Sequence, residues 1–246
     1  MDKVRIALLD TGVSVSIREC YPVIKSYEWK KVGHNKKIVE NEGFDTFGHG
    51  TAVINIISLI TKRVEFINIK IADRKVDSKG LVAALKYIYT HLDVDIINIS
   101  AGVTELPNYH ELDEICRKLA DKKILIISAF DKGGAITYPA AFDKVIGVDV
   151  KKDVQSGNEI TIATNDIVNV WMPNIFHRTV WVDGEKALLK GSSFACAKIT
   201  GIFANLLLKY QKKMNIDEML NQVMNEGKIY SESQSKIIYQ VIKVTR

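Results

Sequence analysis

Val4-Arg5-Ile6-Ala7-Leu8-Leu9-Asp10-Thr11-Gly12 is an apolar run that ends in a carboxylate and a glycine. Val4 to Leu9 is too short for a stable helix and reads as a strand. Similar runs recur at Val64 to Ile71, Ile96 to Ile99, Ile124 to Ser128 and Val145 to Val148. Those that are apolar without a break, such as Ile124-Leu125-Ile126-Ile127, imply burial on both faces. Between the runs, Gly50 to Leu59, Leu81 to His91, Glu111 to Asp121 and Phe194 to Tyr210 repeat apolar residues at three and four, as amphipathic helices do. The alternation predicts an α/β protein with a three-layer, doubly wound, mostly parallel sheet and helices on both faces. Asp10 then stands where such a sheet opens its crevice, at the carboxyl end of a strand. From Gln155 to Leu189 the pattern turns to short β-like pieces, and after Lys212 to a polar helical tail in which Met214 to Met224 is amphipathic. No repeat or linker interrupts the chain, so residues 1–246 are expected to form a single domain, with 210–246 a helical tail packed on it.

Composition narrows the function classes. The 246 residues are 47% hydrophobic and 26% charged, which excludes a disordered chain. Lys+Arg 34 against Asp+Glu 29 leaves a net charge of +5, scattered in pairs such as Lys36-Lys37, Lys122-Lys123 and Lys151-Lys152. Such pairs read as solvated surface, and no nucleic-acid partner is expected. No run approaches the roughly 18 apolar residues that span a bilayer, so no membrane partner is expected either. The opening residues lack the basic-then-apolar pattern of a secretory signal, which predicts a cytoplasmic protein. Cys20, Cys116 and Cys196 are odd in number and widely spaced, and are expected to be reduced thiols rather than disulfide or zinc ligands. No metal and no cofactor is assigned, and the sequence does not indicate an oligomeric state.

Two further segments carry chemistry. Asp45-Thr46-Phe47-Gly48-His49-Gly50-Thr51-Ala52 sets a histidine between glycines ahead of an apolar helix, and Gly191-Ser192-Ser193-Phe194-Ala195-Cys196-Ala197 sets serines at the start of another. Singly each has a plain reading: Asp10 a turn or capping residue, His49 a packed ring, the serines a helix N-cap. Together they place Asp, His and Ser at element edges, in that chain order. A G-x-S-x-G elbow is absent, which excludes an α/β-hydrolase. No G-x-G-x-x-G or G-x-x-x-x-G-K-[ST] loop follows a strand, which excludes a nucleotide-binding domain.

With these segments in view, the sequence resembles the subtilisin-like serine proteases. Leu8 to Gly12, His49-Gly50-Thr51 and Gly191 to Ala195 are similar to that family's Asp, His and Ser signatures, with Ser192 in place of a usual threonine. Ile97 to Gly102 is similar to its substrate-lining strand, Tyr138 to Val148 to the segment beyond the oxyanion region, and Val170 to Pro173 to the approach to the serine. The likeness runs from residue 4 to about 205. It implies a peptide-bond hydrolase in which Ser193 is the nucleophile, His49 the general base and Asp10 the orienting carboxylate. The roles suit the residue types. Serine needs a neighbouring base, and an imidazole of reference pKa about 6.5 exchanges protons near neutrality. A helix starting at Ser193 or Phe194 would aim free N–H groups at the developing oxyanion, making the Ser193 amide one donor.

The resemblance also shows departures. Its second oxyanion donor, an asparagine, is replaced by Asp131, whose ionised form only accepts hydrogen bonds and whose protonated form can donate. Ser100, Ala101 and Gly102 are expected along one wall of the substrate pocket, and Ala129 and Phe130 along another. Phe130 replaces a glycine and is expected to crowd the pocket; Lys132, beside it, is expected to favour an acidic or polar residue. Val76-Asp77-Ser78-Lys79 is expected to offer an edge strand to an extended peptide or protein substrate. Calcium often stabilises relatives, but no loop here has its ligand spacing. The function implied is a serine endopeptidase of restricted intracellular processing; the alternative is a weak or inactive pseudoprotease that binds an extended peptide.

Overall fold

The structure is a computed structural model that describes residues 1–131, 135–151, 159–164, 167–230 and 237–245. The strands are β1 (Val4–Asp10), β2 (Val23–Val32), β3 (Asn35–Glu40), β4 (Val64–Lys70), β5 (Ile96–Ile99), β6 (Leu125–Ala129), β7 (Ile146–Lys151), β8 (Glu159–Thr164), β9 (Val170–Pro173), β10 (His177–Val180), β11 (Lys186–Leu189), β12 (Lys228–Tyr230) and β13 (Ile237–Thr245). The α-helices are α1 (Val15–Cys20), α2 (His49–Ile60), α3 (Ser78–His91), α4 (Tyr109–Asp121), α5 (Ser192–Tyr210) and α6 (Ile216–Glu226).

Side chains of β1 alternate between two cores. Ile6 and Leu8 join the cluster that includes α2, α5 and α6, while Ala7 and Leu9 join the one that includes α3 and α4. All four are fully buried, and each such Ile or Leu contributes about 1.5–3 kcal/mol relative to exposure. That double burial is why Ile6 to Leu9 are apolar without a break. It also makes β1 central: it pairs in parallel with β4 on one side and β5 on the other. The sheet has 11 strands in the order β12-β13-β8-β9-β7-β6-β5-β1-β4-β2-β3, with β10 and β11 forming a separate pair. Antiparallel pairing is confined to β2–β3, β8–β9 and β12–β13 among its neighbours. The β2–β3 hairpin sets Lys30 opposite Lys37 and Lys31 opposite Lys36 on the outer edge.

The helical tail is corrected. Helix holds over α6, where Asn215 closes a capping box with Glu218 and Met219, Leu220 and Val223 are buried. Beyond it the backbone returns to the sheet as β12 and β13, with β13 parallel to β8 from Gln240–Glu159 to Thr245–Thr164. Val241, Ile242, Val244 and Thr245 are β-branched, which suits a strand better than a helix. Val76-Asp77-Ser78-Lys79 is corrected too, because it is not a strand: Asp77 caps α3 by accepting the Lys79 N–H at 3.1 Å.

Candidate active site

β4, β1, β5 and β6 are adjacent and parallel, so their carboxyl ends open along one edge. The residues beyond them wall a cleft of about 920 Å³, joined there by Phe47 and His49 at the start of α2 and Ser192 and Ser193 at the start of α5. The Asp10, His49 and Ser193 segments meet at this cleft, together with Ser100 to Gly102 and Ala129 to Asp131.

Asp10, the last residue of β1, is 1% exposed. Its Oδ1 accepts the Thr11 N–H at 2.7 Å and lies 2.7 Å from His49 Nδ1. A carboxylate in that contact calls for a donor, so Nδ1 carries a proton there, and whenever the ring is neutral its lone pair lies on Nε2. The approach depends on Gly50: a Cβ there would lie 2.3 Å from the Gly12 carbonyl oxygen and 3.2 Å from Asp10 Cβ. Without that side chain, α2 abuts the end of β1 and presents His49 to the acid. The His49 ring sits 5.4 Å from that of Phe194 on α5.

Asp45 holds this junction together, and sequence reasoning missed it. Buried at 5% exposure, its Oδ1 accepts from Thr11 Oγ1, the Phe47 N–H and the Gly48 N–H, and its Oδ2 from the Thr51 N–H and Oγ1. Thr11 Oγ1 also receives the Gly50 N–H at 3.0 Å. One carboxylate therefore ties the residue after Asp10 to the residues on both sides of His49. The only signal in the sequence is an Asp four residues ahead of the histidine.

Ser193 is the second residue of α5. Its hydroxyl donates to the Ser100 carbonyl at 2.6 Å, and the Ser192 hydroxyl donates to that of Phe130 at 2.5 Å. The N-cap is Gly191, with no side-chain cap, so the capping reading of the serines is set aside. Phe194 and Ala195 donate back to the Gly191 carbonyl; the Ser193 amide belongs to the first turn, whose N–H groups have no partner within the helix. Asn98, fully buried on β5, donates to Thr200 at 2.8 Å and accepts from the Ser100 hydroxyl at 2.8 Å. The wall is thereby braced against α5 beneath the serine.

Ser100, Ala101, Gly102, Ala129, Phe130 and Asp131 all line the cleft. The loops after β5 and β6 are stitched together by paired Val103–Tyr138 backbone hydrogen bonds of 2.9 Å, and the loop after β6 is closed on itself by Asp131 N–H to Thr137 Oγ1 at 3.1 Å. Asp131 is exposed at the cleft edge. The expected crowding by Phe130 is corrected: its side chain is buried in a small cluster with Ala140 and Val168, with the ring over Gly147. Lys132 lies outside the described residues. All three cysteines are free thiols, and burial pushes those of Cys116 and Cys196 well up, which keeps them un-ionised. Among the described residues no group of three His, Cys, Asp or Glu converges as a metal site, and no helix is long and apolar enough to cross a membrane.

The model of the subtilase family, Peptidase_S8, matches residues 1–234. The chain belongs to the subtilase family. It is accordingly a serine-type endopeptidase acting on peptide or protein substrates. Solved structures share the fold of this subtilase at low identity. A cold-adapted subtilisin-like serine proteinase matches with a TM-score of 0.69 at 16% identity, covering 98% of this chain and 88% of its own. A psychrophilic protease, S41, gives 0.70 at 22%, covering 96% and 88%. The nisin leader peptidase NisP of Lactococcus lactis gives 0.71 at 14%, covering 99% and 86%. No curated protein sequence matches significantly.

Proposed function

We propose that this subtilase hydrolyses peptide bonds through an acyl-enzyme on Ser193, with His49 as base and Asp10 as its orienting acid. The observation that carries the reading is the 2.7 Å contact between Asp10 and His49 at the head of a cleft that Ser193 also lines. In the resting arrangement the serine hydroxyl rests on the Ser100 carbonyl. Catalysis starts when that hydroxyl turns to His49 Nε2. The imidazole then takes its proton as Oγ bonds to the scissile carbonyl carbon, and the carbonyl π electrons move to oxygen. The Ser193 amide faces that oxyanion. His49 passes the proton to the leaving amine as the C–N bond breaks, and water repeats the cycle on the ester to release the acid and restore the serine.

The resemblance aligns Asp131 with the family's second oxyanion donor. Loss of one donor there costs roughly 10² to 10³ in rate, which supports restricted processing over bulk digestion. Free thiols at Cys20, Cys116 and Cys196 suit a reducing, intracellular compartment. The same features, Asp131 and a serine hydroxyl engaged by Ser100, favour a second reading in which the cleft holds a peptide without cutting it.

A fluorophosphonate probe, followed by mass analysis across pH 5 to 9, separates the two. For the protease, the adduct forms on Ser193, disappears in Ser193→Ala and falls steeply in His49→Ala. Labelling that is absent at every pH and appears in Asp131→Asn would replace the protease with the binding module.

A further inference from the structure

Two cations stand on the β4 side of the cleft without an acid to match them. Arg74 and Lys75 are exposed and line it. The Arg74 guanidinium lies 5.4 Å from the centre of the Phe47 ring. Phe47 is itself fixed, its N–H on Asp45 at 2.9 Å and its ring edge-on to Trp181 at 5.7 Å, two residues from the base. The guanidinium is thus held on a rigid platform instead of ranging through solvent.

Neighbouring carboxylates are already engaged. Asp73 pairs with Lys70 at 2.9 Å, which holds its pKa below the usual carboxylate range. Asp77 receives Trp29 Nε1 at 3.2 Å and the Lys79 N–H, with Lys36 3.7 Å away. Among the described residues neither Arg74 nor Lys75 has an ion-pair partner. Across the cleft the charge reverses, with Glu105 after β5 and Asp131 after β6. Strand order sets the scale: β4 to β6 is three strand spacings, about 14 Å.

An extended peptide laid along Ser100 to Gly102 runs between these two sides, and its successive side chains point in opposite directions. When the residue before the scissile bond turns towards Ala129–Asp131, the residue preceding it turns towards Phe47, Arg74 and Lys75. We infer that Arg74 and Lys75, with Phe47 as platform, form a subsite selecting Asp or Glu at the second position before the cleaved bond. The inference rests on the protease reading above and names its substrate class.

The test digests a peptide library of natural sequences with the full chain, locates cleavage sites by mass spectrometry, and then compares matched peptides carrying Glu or Gln at that position. Pairing with partly exposed cations predicts a preference for Glu of about three- to tenfold in kcat/KM, shrinking as salt is raised. The double variant Arg74→Gln/Lys75→Gln removes the Glu-over-Gln ratio, and Arg74→Glu/Lys75→Glu turns it in favour of Lys. Cleavage without acidic enrichment, or a ratio indifferent to these substitutions, overturns the subsite. If the probe labels Ser193 while the ratio is flat, only the subsite falls; if there is neither label nor cleavage, the protease reading falls and takes the subsite with it.

Discussion

Five hydrogen bonds converge on the buried Asp45 carboxylate, which makes that side chain the residue whose loss the site should feel most. In Asp45→Asn one oxygen becomes an NH₂ that faces donors, so part of the set is lost. Hydrogen bonds to a charged group are worth about 1.5–3 kcal/mol each. Asp45→Asn is expected to lower unfolding free energy by about 2–4 kcal/mol in urea titration. At a temperature where it stays folded, it is expected to lower kcat at least about tenfold with little change in KM, because the loop that presents His49 is displaced while the substrate wall stays intact. Asp10, His49 and Ser193 could be singled out in the sequence by their chain order and by the small residues around them, and the structure brings them to one cleft. Asp45 and Thr11 could not, since their roles come from partners up to 39 positions away. Arg74 was hidden for a different reason: a charged loop residue carries no pattern until its platform is known.

At the scale of elements, His49 and Ser193 each sit at the start of a helix, and those helices lean on each other. Gly201 of α5 meets the end of α2: a Cβ there would fall 2.8 Å from Ile60 Cβ and 3.2 Å from the Ile57 carbonyl oxygen. Gly201→Val therefore wedges the pair apart. Overpacking costs about 1–3 kcal/mol, more than the fraction of a kcal/mol that valine gains over glycine in helix propensity. Although Gly201 is eight residues, about 12 Å, along α5 from Ser193, the variant is expected to be less stable and to react more slowly with the fluorophosphonate probe; unchanged labelling kinetics would show that the helix junction does not govern the site. The elements best read from sequence were those buried on two faces or carrying one clear apolar stripe, β1, β4 to β7 and α2 to α6. The hairpin β2–β3 went unread because little of it is buried: Ser26 and Tyr27 are the buried residues of β2. The terminal strands were absorbed into a tail whose one strong signal was the helix α6.

For the molecule as a whole, acid is the expected weakness. His177 on β10 is 4% exposed, and its Nδ1 finds no hydrogen-bond partner among the described residues. Burial, with a smaller contribution from the Lys198 charge, depresses its pKa to about 3. The unfolded chain takes up this proton below about pH 6.5 while the folded chain refuses it until about 3, so stability declines as pH falls through that window. The slope from this group is about 1.4 kcal/mol per pH unit. Chemical denaturation from pH 7 to pH 4 should show that decline in the native protein and a flatter one in His177→Leu. The outer hairpin has a further consequence for how many molecules behave together. Its facing lysines, Lys30 with Lys37 and Lys31 with Lys36, oppose like charges across the last strand pair of the sheet, offset in part by Asp77 3.7 Å from Lys36 and Glu28 3.9 Å from Lys30; the arrangement strains the hairpin slightly but repels the same edge of a second molecule. Because the repulsion acts through solvent, it reaches only about 10 Å at 0.1 M salt and about 3 Å at 1 M. Concentrated salt, commonly used to keep proteins apart from surfaces and from one another, would here lower the barrier to colloidal association at that edge.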